Sequence, residues 1–301
     1  MAEPQIYDQK WFKNRAFSSL KRINDNSWDY SDSLLLYVSS GVETYETLQE
    51  TNSPYFNLIT KPERNYLESI ATVVVKELPS NFEYIDLGPG TEHKEQFFFD
   101  ELKKQGKQFT YFPVDISQYY LDLSAEHATK QNIPVKTVQA SFEELAERLG
   151  PSNVPRFVNL GLTFSNYEPE FILPLLKTIA GNHGFVFINA HMRDRVDMVA
   201  LQKVYAIDAL NLADEKLLLL GRDPVTDVTE REATDSVEVW CRVINSNKEL
   251  ETIGIKNGDK LLVLRSLRYT KDSLQEALEN TSSKYQLFDT GAPFISTLIR
   301  T

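Results

Sequence analysis

The stretch Phe82-Glu83-Tyr84-Ile85-Asp86-Leu87-Gly88-Pro89-Gly90 decides the fold. Its first six residues have strand character, the Gly-Pro-Gly that follows breaks the strand, and Glu92 to Lys104 then reads as helix. Strand, glycine turn and helix in succession make one βα unit, and the pattern repeats downstream. Phe109 to Asp115 is a second strand entering a helix that starts at Ser117, and Val135 to Gln139 is a third. Arg156 to Leu160 is a fourth, followed by a helix over Glu168 to Ala180, and Gly184 to Ala190 is a fifth. The fifth is almost wholly apolar, as a strand covered on both faces must be. Five such units in about 110 residues predict an open, doubly wound parallel sheet.

On the N-terminal side, Thr60-Lys61-Pro62-Glu63 is written as a helix start, with a Thr cap, Glu three positions on and a proline in the first turn; the helix runs to about Leu78. The first sixty residues hold helical patches at Trp11 to Ile23 and Ser33 to Tyr37 and are rich in aromatics, which suggests a cap. On the C-terminal side, Asp197 to Leu220 reads as helix, and Val225 to Val243 and Leu261 to Tyr269 read as strands, an inserted α+β piece. Thr270 to Leu278 reads as a further helix. Tyr285 to Asp289 and Phe294 to Leu298 then form a hairpin that closes the sheet antiparallel at its edge. The domains expected are a core of 56–194 plus 267–301 and an α+β cap of 1–55 plus 195–266.

The composition excludes several classes. With 301 residues, 42% hydrophobic and 25% charged, the chain has volume for a core and is too apolar for disorder. Its balance of 32 basic against 43 acidic residues, net −11, argues against a general nucleic-acid binder. No run reaches the roughly 18 apolar residues of a membrane helix, and Met1-Ala2-Glu3-Pro4 does not open a secretory signal, so a soluble cytoplasmic protein with no membrane partner is expected. Cys241 alternates within a strand and reads as buried. His93, His127, His183 and His191 are dispersed without zinc spacing, so no metal is expected. The oligomeric state is left open.

The turn after the first strand carries the chemistry. Glycine at positions 88 and 90 lets backbone approach a ligand at the carboxyl end of a strand, although a tight turn needs the same residues. Asp115 ends the second strand where a carboxylate receives ribose hydroxyls; it could equally cap the next helix. After the third strand, Ser141 and Phe142 place a ring where an adenine would lie, while Ser141 with Glu144 also spells a capping box. A dinucleotide fingerprint would need glycine where His93 stands, and no Walker loop is present. Asp86, two positions before the first glycine, suits a cationic cofactor. S-adenosylmethionine (SAM) carries an ammonium and a sulfonium and no pyrophosphate, and the C-terminal hairpin resembles the close of class I methyltransferases, a Rossmann-like fold.

The run Asn159-Leu160-Gly161-Leu162-Thr163-Phe164-Ser165-Asn166-Tyr167-Glu168-Pro169 resembles the "G-S-T-I-G-N-F-x-P" segment of the histidine-specific, SAM-dependent methyltransferases of ergothioneine biosynthesis. Tyr45 to Leu48, Lys61 to Arg64, Asp86 to Lys94 and Pro113 to Ser117 match other segments of that family in order. The resemblance covers roughly Ser33 to Thr301. It implies that Gly88 and Lys94 contact the methionine part of SAM, Asp115 the ribose and Phe142 the adenine, with Asp86, Gly90, Ser141 and Gly161 completing the cofactor site. Asn166 and Tyr37 would hold the acceptor's amino group as the catalytic pair, and Tyr205 its carboxylate. Asn166 has a competing reading as a cap for the next helix. Tyr45, Tyr55, Trp240, Leu264 and Ser266 complete the acceptor set.

Two departures bear on substrate. Leu264 stands where the family's imidazole-binding glutamate would be, with Ser266 kept, and Ser141 replaces an adenine-binding aspartate. An apolar residue cannot pair with an imidazole N–H. The expected activity is therefore N-methylation of a small amino acid or amine other than histidine, perched against Trp240 and Tyr55. A non-catalytic or regulatory methyltransferase-like protein and a nucleotide-dependent oxidoreductase are the competing readings.

Overall fold

The computed structural model describes residues 6–37, 41–206, 216–220, 228–230, 235–281 and 284–301. These fall into two units, one of Met1–Leu58 with Asp197–Leu267 and the other of Ile59–Val196 with Arg268–Thr301.

The smaller unit begins with helix α1 (Gln9–Ser19), whose first turn is capped by Asp8 accepting from the Trp11 N–H at 2.8 Å. A helix continuing to Ile23 is not formed. Lys21–Asn24 is strand β1, paired antiparallel with β2 (Ser27–Asp29), because the Asn24 side chain accepts from the Asn26 N–H at 3.0 Å and sets a turn. Trp28 on β2 is buried, its indole donating to Asp259 at 3.2 Å. A short 3₁₀ helix (Ser33–Tyr37) and α2 (Gly41–Leu48) follow. The inserted segment supplies α8 (Met198–Val204), β8 (Val228–Glu230), β9 (Ser236–Arg242), α9 (Lys248–Thr252) and β10 (Lys260–Leu267). The sheet order is β1-β2-β10-β9-β8, with β2 parallel to β10, so the N-terminal hairpin and the insertion share one sheet. Of the long helix expected over Asp197 to Leu220, α8 and a turn at 216–218 are helical, and 207–215 lie outside the described residues. The first residues of the strand expected from Val225 also lie outside them.

A bulge at Val263 shapes this sheet: Leu262 pairs with Trp240 and Leu264 with Val239. The extra residue has a buried consequence. Lys216 is fully buried and donates to the carbonyls of Val263 at 3.0 Å and Asp32 at 2.8 Å, while its own carbonyl accepts from the Tyr30 hydroxyl at 2.7 Å. Burial pulls the Lys216 ammonium down to about 7, against the opposing pull of Asp32 and Asp29.

The larger unit carries the βα repeat: α3 (Lys61–Glu77), β3 (Asn81–Leu87), α4 (Gln96–Lys104), β4 (Gln108–Asp115), α5 (Gln118–Lys130), β5 (Val138–Gln139), α6 (Phe142–Leu149), β6 (Arg156–Gly161), α7 (Pro169–Ala180) and β7 (Phe185–His191). Helix α10 (Lys271–Glu279) and strands β11 (Tyr285–Asp289) and β12 (Phe294–Arg300) close it. The seven strands run β11-β12-β7-β6-β3-β4-β5, with β3 to β7 parallel and β12 antiparallel to both neighbours. This is the doubly wound sheet with a terminal hairpin that the βα repeat predicts. The third strand is shorter than expected, since Val135 makes a single bridge to Tyr111 and the ladder resumes at Val138.

The core of this unit is aromatic as well. The ring of Tyr84 lies 5.0 to 6.3 Å from those of Phe98, Phe99, Phe109, Tyr111 and Phe157, mostly edge to face. Because β3 to β7 are parallel, their carboxyl ends share one edge, which brings Leu87, Asp115, Gln139, Gly161 and His191 to the same side.

Candidate active site

At that edge the Gly88-Pro89-Gly90 turn takes positive φ at both glycines, +66° and +65°. A side chain at 88 would be strained, and its Cβ would stand 3.9 Å from Phe142 Cζ and from Thr163 Oγ1. The turn is thus cradled by the Phe142 ring and the loop after β6, which brings together Gly88, Phe142 and the segment carrying Asn166. Gly161 also needs positive φ, +57°.

Beneath the turn, Asp86 is buried and doubly held: the Tyr111 hydroxyl donates to one oxygen and the Asn159 amide to the other, each at 2.8 Å. Burial pushes its carboxyl up to about 7, reinforced by the nearby charge of Glu95 and opposed by those two bonds and Lys94. Asp115, half-buried, accepts from the Ser117 N–H at 2.8 Å and is likewise pushed up to about 7 by burial, against the pull of the Ser117 and Ile116 N–H groups. Two carboxyls at one strand edge therefore titrate near neutrality, a signature of functional sites.

The local alternatives weighed for these residues resolve unevenly. Asp115 does order the start of α5, through Ser117. Neither Ser141 nor Ser117 makes a side-chain capping bond at the N-cap it occupies. The helix after Asn166 takes Glu168 at its N-cap and has no side-chain cap, so the capping role set against Asn166 is not realised.

At Thr60 the expected capping box is absent. The chain enters α3 through a π-helical turn, Phe56–Thr60, so Thr60 is itself helical and makes no capping bond. Glu63 does not fold back to the cap; buried at 1% exposure, it accepts from Lys94 Nζ at 3.0 Å and from the Asn189 amide at 3.0 Å. Asn189 in turn receives the Ser296 hydroxyl. Lys94 also lies 3.9 Å from Glu92, and these carboxylates hold its ammonium well above the ordinary range despite the burial that opposes it. This network ties the segment after the glycine turn to α3 and β7, a role for Glu63 and Asn189 that the sequence reading missed. Asn159 was missed as well, although an amide in the otherwise apolar run Phe157-Val158-Asn159-Leu160 was the available signal.

These residues fit SAM. Among the described residues, the buried Asn159 Oδ1 has no hydrogen-bond partner, and it lies 4.0 Å from where a Cβ on Gly161 would stand. An unpaired buried acceptor costs about 1–3 kcal/mol unless a ligand donor meets it. With Asp86 and Asp115 it makes an acceptor-rich set suited to an ammonium and a ribose, beside the Phe142 ring, whose centroid lies 6.0 Å from that of Tyr167.

In the smaller unit, Tyr55 and Tyr205 come together with ring centroids 5.9 Å apart, Tyr205 buried and Tyr55 half-buried. Tyr45 is half-buried on α2. The Tyr37 side chain lies outside the described residues. Leu264 and Ser266 share a sheet face with their partners Val239 and Val237. Trp240 does not join them. The Val263 bulge pairs it with Leu262, so it faces the opposite side, where its indole donates to Glu238 at 2.7 Å. Trp240 and Leu264 therefore do not form one acceptor wall on this sheet.

The chain is a SAM-dependent methyltransferase on a doubly wound α/β sheet closed by an antiparallel hairpin. The chain belongs to the family described as histidine-specific methyltransferase, SAM-dependent, whose profile matches residues 18–199. Membership sets aside the nucleotide-dependent oxidoreductase and makes SAM the cofactor. A search of curated proteins returns no match. Among solved structures, the PH0226 protein of Pyrococcus horikoshii is similar at 14% identity and a TM-score of 0.47, covering 87% of this chain and 98% of that one. A SAM-dependent methyltransferase of Aquifex aeolicus is similar at 13% and 0.45, covering 86% and 97%. The 1,6-didemethyltoxoflavin-N1-methyltransferase of Burkholderia thailandensis, crystallised with bound 1,6-didemethyltoxoflavin and S-adenosylhomocysteine, is similar at 11% and 0.45, covering 87% and 88%. No helix among the described residues is long and apolar enough to cross a membrane.

Proposed function

We propose that this enzyme methylates the amino group of a small amino acid or amine whose side chain is apolar or aromatic, and that histidine is a poor acceptor. The observation that carries this reading is Leu264. It is 6% exposed and lies on a face shared with Val239, Val237 and Ser266, so the position that resemblance assigns to an imidazole-binding glutamate offers no acceptor. Glu238, on the adjacent strand, is no substitute: it faces the other way and already takes the Trp240 indole and, at 3.3 Å, the Ser236 hydroxyl. A site lacking a designed hydrogen-bond partner loses discrimination by orders of magnitude.

SAM, when bound, supplies a methyl carbon activated by a cationic sulfur. Within this proposal the chain's own residues do the remaining work. Asp86, Asp115 and the free oxygen of Asn159 bind the cofactor's donors, and Phe142 faces its base. Lys94 retains N–H capacity beyond its two carboxylates for the cofactor's own carboxylate. Asn166 and Tyr37 orient the acceptor's nitrogen without adding fixed charge, which leaves the amine neutral and nucleophilic; alignment for in-line displacement is the main source of rate. Tyr55, Tyr205 and Tyr45 receive the body of the acceptor.

The test is incubation of the enzyme with SAM and a panel of histidine, aromatic amino acids, aliphatic amino acids and simple amines, read by mass spectrometry for added methyl groups. Aromatic or apolar acceptors gain methyl groups first. Methylation of histidine as fast as any of them overturns the assignment.

A further inference from the structure

Two histidines far apart in sequence stack in the fold. His93, in the turn after Gly90, and His127, on α5, have ring centroids 4.0 Å apart and planes 12° from parallel. Glu95 serves both, its Oε1 lying 3.3 Å from His93 Nδ1 and 3.8 Å from His127 Nε2. The three ligand-type atoms fall within 4.8 Å of one another. We propose that His93, Glu95 and His127 bind one divalent transition-metal ion of the zinc class, which clips the cofactor turn to α5.

The chemistry of the set supports a metal. Two imidazoles and a carboxylate are a three-ligand complement that zinc accepts, with one position left for another donor. A point equidistant from three atoms spaced up to 4.8 Å apart lies about 2.8 Å from each at the widest, against zinc bonds of ~2.0–2.2 Å, so the three side chains close in by roughly half an ångström or a little more. His127 Nε2 meets the Gln96 side-chain oxygen and the Gln131 amide nitrogen, each at 2.9 Å, so the ion displaces these partners from the ring, and the Gln96 oxygen is the nearest neutral donor for the fourth position. Each imidazole lone pair lies in its ring plane, so coordination by both requires the stacked rings to splay. His93 is the ring free to swing. It sits in the turn at φ 49°, outside any helix or strand, whereas His127 is fixed on α5 and packed beside Phe99. Glu95 is 3% exposed, and its neighbours here are two imidazoles that are cationic only when protonated; a bound dication supplies the charge that a buried carboxylate calls for. The ion takes no direct part in methyl transfer. Its place is beside the segment that carries Gly88, Gly90 and Lys94, and its effect is to hold that segment.

The test uses the full chain, stripped with chelator and without SAM, so its outcome does not depend on the methyltransferase reading. Titration with Co²⁺ is expected to saturate at one equivalent and to give the visible absorption of a tetrahedral nitrogen- and oxygen-ligated ion, which Zn²⁺ then displaces. His127→Gln and Glu95→Gln weaken binding by more than the ~10–100-fold that loss of an outer partner costs, and His183→Gln leaves it unchanged. On the wild type alone, NMR during Zn²⁺ titration shifts the ring protons of His93 and His127 and not those of His183 and His191. Absence of saturable binding overturns the proposal. So does binding that His127→Gln leaves intact, or a Zn²⁺ titration that moves other histidines instead.

Discussion

Replacing Asp86 by Asn should stabilise the ligand-free enzyme at pH 8 and weaken its hold on SAM. In the folded chain the Asp86 carboxyl is raised from 3.8 to about 7, chiefly by burial. The folded state therefore binds the proton more tightly than the unfolded state, and its stability is greatest at low pH and is lost as pH rises from about 4 to about 7. A shift of about three units corresponds to about 4 kcal/mol in all, of which more than half falls between pH 5 and pH 8. An Asn side chain has no such charge to bury. It also keeps both hydrogen bonds: its oxygen accepts from one partner and its NH2 donates to the other, with either the Tyr111 hydroxyl rotating to accept or the Asn159 amide turning over to present its oxygen. Urea unfolding of wild type and Asp86→Asn at both pH values, without SAM, measures the effect. Far-UV circular dichroism is the probe, since Trp11, Trp28 and Trp240 all belong to the smaller unit and report on it alone. The variant should gain about 2–3 kcal/mol over wild type on going from pH 5 to pH 8. A gap that stays flat with pH would refute the reasoning, as would a variant less stable at pH 8.

Lys216 gives the mirror case in the smaller unit. Its ammonium is lowered to about 7, so the unfolded state binds more protons between pH 7 and 10.5, and stability rises with pH by about 3 kcal/mol from 7 to 9.5; tryptophan-monitored unfolding should show this rise and its absence in Lys216→Met. Leu264→Glu should raise kcat/KM for histidine by at least ~10-fold relative to an aromatic amino acid, because it restores a partner for the imidazole. Equal effects on both acceptors would contradict the role given to that position. Asn166→Ala should lower kcat by ~100-fold with the SAM Kd nearly unchanged, and because Asn166 caps no helix its stability should move by less than about 0.5 kcal/mol.

Much of the larger sheet was legible because its signals are local. An apolar strand, a glycine turn and a helix are each written within a few residues, and the right-handed crossover rule assembles them. Features that depend on distant partners were not legible. The Thr60 to Glu63 pattern reads as a capping box in any sequence, and here Lys94 and Asn189 claim the glutamate from remote segments. Leu264 and Trp240 read as one pocket in the sequence, and the single extra residue at Val263 puts them on opposite faces. Lys21 to Ile23 reads as an extension of a helix, and pairing of the adjacent hairpin strand with β10 settles it as a strand. In the proposed cofactor site, Asp86, Gly88, Asp115 and Phe142 could be named from the positions of strand ends, whereas Asn159 and Tyr111 reach Asp86 through side chains brought in by neighbouring strands.

The account rests on the glycine turn and its two carboxyls as the SAM site, and calorimetric titration of the wild-type enzyme with SAM at pH 6 and pH 8 tests it most directly. One equivalent should bind, with release of protons at pH 6 and an affinity about tenfold higher at pH 8 for each carboxyl that must ionise. Gly88→Val, strained at φ +66°, should abolish the signal. Binding of the same strength at both pH values, or binding that survives Gly88→Val, would contradict the account.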